Sequence, residues 1–161
     1  MHKLKVYLDT SVISHLHQLD APEKMTETHL FWEDLKQGKY DICVGQITLL
    51  EITDCSEPKR SLLDKHLLEI EYTLVSLEAE IRTLADKIIE QGILTRKSYN
   101  DCLHIASAVV AGCDLIASWN FKHIVNIKTI NGVRAINMLN GYRPIEIYAP
   151  ATLLERGDLD D

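Results

Sequence analysis

The sequence contains few cysteines, and their positions form no known motif. The four residues, Cys43, Cys55, Cys102 and Cys113, include no CxxC pair and none of the spacings of a zinc site. Each lies among apolar neighbours, so we expect small core residues in a reducing compartment. A cytoplasmic protein is therefore expected.

Long apolar runs are also missing. The longest, IASAVVAGC at residues 105–113, is far too short to cross a bilayer. The N-terminal residues include two lysines but no extended apolar stretch, so we expect no signal peptide. An association with membranes is therefore not expected.

The sequence lacks the excess of positive charge that is typical of nucleic-acid-binding proteins. It has 17 lysines and arginines against 24 aspartates and glutamates, which gives a formal net charge of −7. Phosphate neutralisation usually supplies most of the affinity for a nucleic acid, so this balance argues against such a partner. It does not exclude one, because a cation bound by clustered acids reverses the local charge that a phosphate meets.

The remaining composition is that of an ordinary globular protein. A length of 161 residues is enough for one domain with a sizeable core, and a hydrophobic content of 46% is usual for such a domain. We predict a single domain over residues 1–150. Residues 151–161, which include the acidic stretch ERGDLDD, are predicted to form a frayed tail.

Short strand patterns alternate with helical patterns along the chain. Strands are predicted at residues 4–8, 40–44, 73–76, 114–118 and 145–148. Helices are predicted over residues 26–38, 47–55, 58–71, 77–92 and 98–112. This alternation predicts a three-layer α/β/α sandwich with a mostly parallel central sheet. In such sheets the functional crevice lies beyond the carboxyl ends of the strands.

The stretch KVYLDTSVIS, residues 5–14, places an aspartate at the end of the first predicted strand. Asp9 is the first residue beyond that strand, at the edge of the sheet where ligands bind. One interpretation is that Asp9 or Thr10 caps a helix that begins near Val12. The other is that Asp9 holds a metal ion, and the positions of the other acids decide between the two.

Three further polar residues are predicted to lie at the same edge. Glu51 lies in the apolar stretch TLLEIT, where a glutamate on a half-exposed helix face is the alternative. Asp101 lies in the first turn of the most apolar predicted helix. The alternative to a metal-binding role is an acid that the helix dipole favours, with Ser98 or Asn100 as the cap. Asn120 follows the predicted strand DLIAS, where a turn-forming asparagine is the alternative.

Carboxylates that converge on one point need a counter-charge. Two ionised carboxylates ~4 Å apart, at an effective dielectric constant of ~20, repel by about 4 kcal/mol. Three such acids destabilise the fold or take up protons unless a divalent cation offsets their repulsion. Oxygen ligands without a usable set of Cys or His favour Mg²⁺ or Mn²⁺ over zinc. We therefore predict that Asp9, Glu51 and Asp101 bind Mg²⁺ or Mn²⁺.

Three stretches of the sequence resemble a known family. YLDTSVIS at residues 7–14, LLEIT at residues 49–53 and NDCLHIASAVVAGCDLIASWNFKHI at residues 100–124 look like the PIN-domain nucleases. More narrowly, they resemble the VapC-type toxins of bacterial toxin–antitoxin pairs, to about residue 148. The resemblance implies a PIN-like sandwich with Asp9, Glu51 and Asp101 as its acidic cluster. Asn120 stands at the fourth acidic position, where the family usually has aspartate.

The resemblance also implies an activity, which is metal-dependent hydrolysis of RNA phosphodiester bonds by an endoribonuclease. In that reaction Asp9, Glu51, Asp101 and Asn120 are the catalytic residues. Thr10, Ser11 or Ser118 would supply a hydroxyl that orients a ligand or a water. Two alternatives stay open. One is a PIN nuclease of RNA processing, and the other is a weakened PIN scaffold that binds RNA or protein, which the uncharged Asn120 favours.

Substrate and partner contacts are expected around this edge. We expect the cations Lys122, His123 and Arg134 to contact RNA, whereas Lys128 is expected to be a solvated surface charge. His104, three residues after Asp101, is expected to be a buried core histidine. The resemblance implies a homodimer and an antitoxin protein that covers the acids. The predicted helices at residues 58–71 and 77–92 are the expected partner surfaces.

Overall fold

The computed structural model describes residues 3–154, which form one parallel sheet covered by helices on both faces. The strands are β1 (Lys5–Leu8), β2 (Asp41–Gly45), β3 (Thr73–Val75), β4 (Leu115–Ala117) and β5 (Glu146–Tyr148). The helices are α1 (Thr10–Ser14), α2 (Pro22–Lys36), α3 (Gln46–Thr53), α4 (Lys59–Leu67), α5 (Ala79–Glu90), α6 (Tyr99–Val110), α7 (Ile127–Asn140) and α8 (residues 150–154). The strand order is β3-β2-β1-β4-β5, and every neighbouring pair is parallel. The predicted three-layer α/β/α sandwich is therefore confirmed.

The central strand β1 is apolar on both sides because both faces of the sheet are covered. Val6 and Leu8 face one apolar core, and Tyr7 faces the other, since successive side chains of a strand point to opposite faces. All three are fully buried. An almost continuous apolar strand of this kind is the usual pattern of a parallel sheet between two helical layers.

The two helical layers follow from which apolar side chains each helix contributes. Helices α5, α6 and α7 pack on the face that carries Tyr7, and helices α1, α2 and α4 pack on the opposite face. Helix α6 lies between α5 and the sheet, and every residue from Cys102 to Val109 is buried. The helix that is the most apolar in the sequence is therefore also buried along most of its length.

Three helices differ from the sequence-based predictions, and one of them, α4, ends at Leu67 rather than at residue 71. Helix α2 begins at Pro22, four residues earlier than predicted, because proline is well suited to the first turn of a helix. Helix α7 was not predicted, because its asparagines, β-branched residues and Gly132 are weak helix formers. Its buried Val133 and Ile136 pack against the core, and this tertiary contact stabilises the helix.

The end of the chain also differs in part from the expectation of a frayed tail over residues 151–161. Residues 151–154 continue helix α8, and Leu153 is buried in the core on the α1, α2 and α4 side. Residues 155–161 lie outside the described residues. None of the helices between residues 3 and 154 has the length and apolar character needed to span a bilayer.

The register of the sheet aligns the carboxyl ends of its three central strands. Leu8 at the end of β1 pairs with Val44 of β2 on one side and with Ala117 of β4 on the other. The residues that follow β1 and β4, Asp9 and Ser118, therefore leave the sheet side by side. We refer to this side of the sheet as the carboxyl edge.

Candidate functional site

Asp9 is held in a single orientation at the carboxyl edge. It is the N-cap of helix α1, and its Oδ1 accepts hydrogen bonds from the Ser11 backbone N–H at 3.1 Å and from Ser11 Oγ at 2.5 Å. Its Oδ2 accepts a hydrogen bond from Ser118 Oγ at 2.7 Å. The side chain is 3% exposed. Asp9 therefore both caps a helix, as one interpretation of the sequence predicted, and presents a carboxylate at the carboxyl edge.

The two serines join the segments that follow β1 and β4. Ser11 Oγ donates to Asp9 and accepts from the Trp119 backbone N–H at 2.9 Å. Ser118 Oγ likewise donates to Asp9 and accepts from the Asn120 backbone N–H at 2.9 Å. Each hydroxyl thus uses its proton on the carboxylate and a lone pair on the neighbouring segment. The two serines fix the position of Asp9 relative to Asn120.

Glu51 is held by a second group of side chains. Its Oε1 accepts hydrogen bonds from Thr10 Oγ1 at 2.8 Å and from His104 Nε2 at 2.5 Å. His104 Nδ1 lies 2.7 Å from the hydroxyl of Tyr7. Because a carboxylate only accepts, His104 Nε2 carries the proton, and in the neutral ring Nδ1 then accepts the Tyr7 hydroxyl proton. His104 is 2% exposed, so it is the core histidine that the sequence predicted, but it also contacts the site.

Asp101 lies in the first turn of α6 and contacts the loop after β4. Its Oδ1 accepts from the Asn120 side-chain amide at 3.2 Å, and its Oδ2 lies 3.0 Å from His123 Nδ1. The Asn120 amide oxygen accepts the His123 backbone N–H at 2.9 Å. Both ends of the Asn120 side-chain amide are therefore hydrogen-bonded. The nitrogen donates to Asp101, and the oxygen accepts from the loop backbone at His123. Hydrogen bonds thus connect Asp9, through Ser118 and Asn120, to Asp101.

Burial and mutual repulsion change the proton affinity of these carboxylates. Burial raises the pKa of Asp9, and the charge on Glu51 raises it further, although His104 and the two serines lower it. Burial also raises the pKa of Asp101, to which the charges on Asp9 and Glu51 add, against the lowering effect of His123. For Glu51 burial acts in the same direction, but its bonds to His104 and Thr10 outweigh it, so its pKa is lowered. The three carboxylates therefore act on one another electrostatically.

The chemistry of these donors suits a hard divalent cation, but their conformation limits which residues bind it. Desolvated carboxylates that repel one another are stabilised by a cation, and carboxylate oxygens are the preferred ligands of Mg²⁺ and Mn²⁺. In the conformation of residues 3–154, however, no three His, Cys, Asp or Glu side chains form a group that could hold a metal. Glu51 is directed to His104 and Thr10 instead.

The predicted RNA contacts fall into two groups. Lys122 and His123 lie in the loop after β4 and line a cavity of about 170 Å³. Arg134 is exposed on α7 and is not among the residues that line this cavity. His123 Nδ1 contacts Asp101, so the loop that carries the cations also carries a partner of the acidic cluster.

The sequence-based reasoning missed the residues that orient Glu51 and Asp101. His104 was expected in the core rather than at the site, and Tyr7 and the His123 contact with Asp101 were not identified. A signal existed for His104, because a histidine three residues after Asp101 lies on the same helix face. A signal also existed for Tyr7, which lies two residues before Asp9 on the same side of β1.

Comparisons with known proteins agree with this fold. A family model of the PIN domain matches residues 6–122. Among solved structures, the chain is similar to VapBC2 from Rickettsia felis bound to a DNA fragment from their promoter, with a TM-score of 0.58 and 15% sequence identity. That similarity covers 91% of this chain and 98% of the other. At this identity it supports the fold alone. A search of curated proteins gave no match.

Proposed function

The chain belongs to the PIN-domain family, and from this premise we propose that it is a Mg²⁺- or Mn²⁺-dependent endoribonuclease. One observation carries the proposal. Asp9, Glu51 and Asp101 are far apart in the sequence but lie at one edge of the sheet. There the charge on Glu51 raises the pKa of both aspartates, and the charge on Asp9 raises that of Asp101. A fold gains nothing from such repulsion unless a cation offsets it.

In this proposal Asp9 and Asp101 hold the divalent ion. Both are largely withdrawn from water, and both have a raised pKa in the absence of a counter-charge. A divalent cation bound there would neutralise the scissile phosphate and lower the pKa of a bound water. Ser11 and Ser118 keep both oxygens of Asp9 in place, and Asn120 and His123 do the same for Asp101.

Glu51 has a different role from the two aspartates in this proposal. Its Oε1 is occupied by Thr10 and His104, and its side chain is 32% exposed. The lowered pKa keeps it ionised at neutral pH, so it can accept a proton from a water beside the scissile phosphate.

We also propose that the chain is the toxin of a toxin–antitoxin pair, acting on cytoplasmic RNA. The sequence resemblance to VapC-type toxins supports this finer assignment, and the fold, which is similar to that of a chain of VapBC2, is consistent with it. A cognate antitoxin and a homodimer follow from the same proposal. A PIN nuclease of RNA processing remains the alternative enzyme. A short antitoxin-like reading frame beside the gene, whose product relieves growth arrest, distinguishes the two.

The test compares the wild-type protein with Asp9→Asn for growth arrest in cells and for cleavage of RNA in Mg²⁺ or Mn²⁺. The proposal predicts arrest and cleavage by the wild type only, and loss of cleavage when a chelator is added. Because one ligand to the ion is weakened, activity of Asp9→Asn should fall by at least about 100-fold. Equal toxicity of the two proteins would rule out the mechanism.

A second candidate function is binding of RNA without cleavage. Two observations favour it: Asn120 stands where the family usually has an acid, and residues 3–154 contain no three-residue metal group in their present conformation. The same assay separates the two functions. A wild-type protein that binds RNA but leaves it intact in saturating Mn²⁺ is a PIN scaffold.

A further inference from the structure

A cavity of about 170 Å³ lies directly beside Asp101 and has no role in the chemistry described above. Its lining comes from two segments: the loop before α6, with Thr95 and Ser98, and the loop leading into α7, with Lys122, His123 and Lys128. His123 connects this cavity to the acidic cluster, because its Nδ1 lies 3.0 Å from Asp101 Oδ2. A ligand in the cavity is therefore a neighbour of any group bound at Asp101.

The two lysines of the cavity are not paired with acids among the described residues. Lys122 and Lys128 are both exposed, and within the described part of the chain neither of them forms an ion pair. This concentration of free cations contrasts with the net charge of −7 of the whole chain. The sequence indicated a solvated surface charge for Lys128, but the fold places it with Lys122 in the lining of one small cavity.

The hydrogen-bonding groups around the cavity also favour an anion. The carbonyl oxygens of Phe121 and Lys122 accept from the Asn126 amide at 3.1 and 3.0 Å, and that of His123 accepts from Thr129 Oγ1 at 2.7 Å. The acceptors of this loop are thus already used. In contrast, the Ser98 hydroxyl makes no capping hydrogen bond to helix α6. The two lysines and this hydroxyl are therefore donors at the cavity wall that the loop contacts do not use.

From these observations we propose that the cavity binds a backbone phosphate of the RNA, next to the scissile one. Two ammonium groups, the Ser98 hydroxyl and the N-terminal end of α7 are donors that suit a phosphate. The loop that carries Lys122 also carries His123, so the bound phosphate is a neighbour of the one cleaved at Asp9 and Asp101. This inference rests on the proposed ribonuclease function, and it defines how the substrate is held.

The test measures binding of a labelled single-stranded RNA by fluorescence anisotropy, in a chelator and over a series of KCl concentrations. We compare the wild type with K122Q/K128Q and with S98A. The plot of log affinity against log salt should lose about 0.7 in slope for the one phosphate contact that K122Q/K128Q removes. Affinity should fall roughly tenfold in that variant, and less in S98A.

A matched control removes one charge from the opposite edge of the sheet. Lys36 lines a cavity with Lys5, Asp41 and Thr73, the first residues of three strands, so K36Q should keep the wild-type slope. A second arm uses oligonucleotides in which one phosphate at a time is replaced by an uncharged methylphosphonate. The wild type should lose affinity at one position near the cleaved bond, and K122Q/K128Q should show no further loss there.

The outcomes separate this inference from the proposed function. Wild-type cleavage together with an unchanged salt slope in K122Q/K128Q overturns the phosphate subsite alone. The phosphate subsite is also overturned if K36Q reduces the salt slope as much as K122Q/K128Q does. It is overturned as well if each methylphosphonate reduces the affinity of K122Q/K128Q as much as it reduces that of the wild type. A wild-type protein that neither binds nor cleaves RNA overturns the proposed function, and the subsite with it.

Discussion

Asp9 serves the fold and the site with the same two oxygens. As N-cap it satisfies the Ser11 backbone N–H, and through Ser118 it ties the segment after β1 to the segment after β4. Its burial raises its pKa, so in the metal-free protein the charged form is destabilised. The hydrogen bonds of Asp9 therefore stabilise the fold, whereas the desolvation of its charge destabilises it. Asp101 is in a similar position but has fewer donors.

Asp101→Asn should stabilise the metal-free protein at neutral pH. The pKa of Asp101 is raised in the folded state by burial and by the charges on Asp9 and Glu51. The contribution of Asp101 to the free energy of unfolding is therefore fully present below the pKa of aspartate in the unfolded chain, about 3.9. It is lost as the pH rises through the raised pKa of Asp101 in the folded protein. Asparagine cannot ionise, so it avoids this loss.

Urea unfolding of the wild type and Asp101→Asn in a chelator, at pH 7 and near pH 3.5, measures the effect. The free energy of unfolding of the variant should exceed that of the wild type at pH 7, and the two should converge at the lower pH. A variant that is less stable at pH 7 would show that the contacts with Asn120 and His123 outweigh the repulsion.

Gly45, at the boundary between β2 and α3, affects the orientation of Glu51. It ends β2 and precedes α3, and a Cβ atom there would overlap the Tyr7 hydroxyl oxygen. That hydroxyl contacts His104, which in turn donates to Glu51. The absence of a side chain at the end of β2 thus makes room for the group that orients the histidine.

Gly45→Ala should destabilise the protein by about 1–3 kcal/mol, the usual cost of overpacking a well-packed site. In a Tyr7→Phe background the cost should be smaller, because the oxygen that Cβ overlaps is gone. Unfolding of the four proteins of this double-mutant cycle gives the coupling energy. Strictly additive effects would show that the glycine and the hydroxyl are not in contact.

Asn126 links helix α7 to the loop of the proposed phosphate subsite. Its Oδ1 accepts from the Thr129 backbone N–H at 2.9 Å as the N-cap, while its amide holds two loop carbonyls. Asn126→Ala should cost about 1 kcal/mol of stability. It should also weaken binding of single-stranded RNA. Asn131→Ala, at an exposed position on the same helix, is the control, and an equal loss in both variants would contradict the capping role.

At the scale of elements, some features could be predicted from the sequence and others could not. Apolar strands and amphipathic helices predicted the parallel sheet, because burial of β1 and α6 on all sides leaves a clear pattern of side chains. Helix α7 could not be predicted, since its stability depends on packing of Val133 and Ile136 rather than on local preference. The contact of His104 with Glu51 joins residues 53 positions apart, so no local pattern indicates it.

The whole molecule combines a negative net charge with a small positive region beside its acids. With 24 acidic residues against 17 basic ones, general attraction to nucleic acid is weak, so substrate binding depends on local groups. The proposed divalent ion at Asp9 and Asp101 and the cavity of Lys122 and Lys128 are two such groups. Both lie at the carboxyl edge, so they can contact neighbouring phosphates of one RNA strand.

Binding of Mn²⁺, followed by loss of the free-ion signal in electron paramagnetic resonance, tests most directly whether the carboxylates at the carboxyl edge hold a divalent cation. The wild type should bind Mn²⁺, and Asp9→Asn and Asp101→Asn should each bind it at least about tenfold more weakly. Asp41→Asn, an exposed acid at the start of β2, should match the wild type. Wild-type protein that leaves Mn²⁺ free at millimolar concentration, or aspartate variants that bind it as well as the wild type, would contradict the metal site and the reaction built on it.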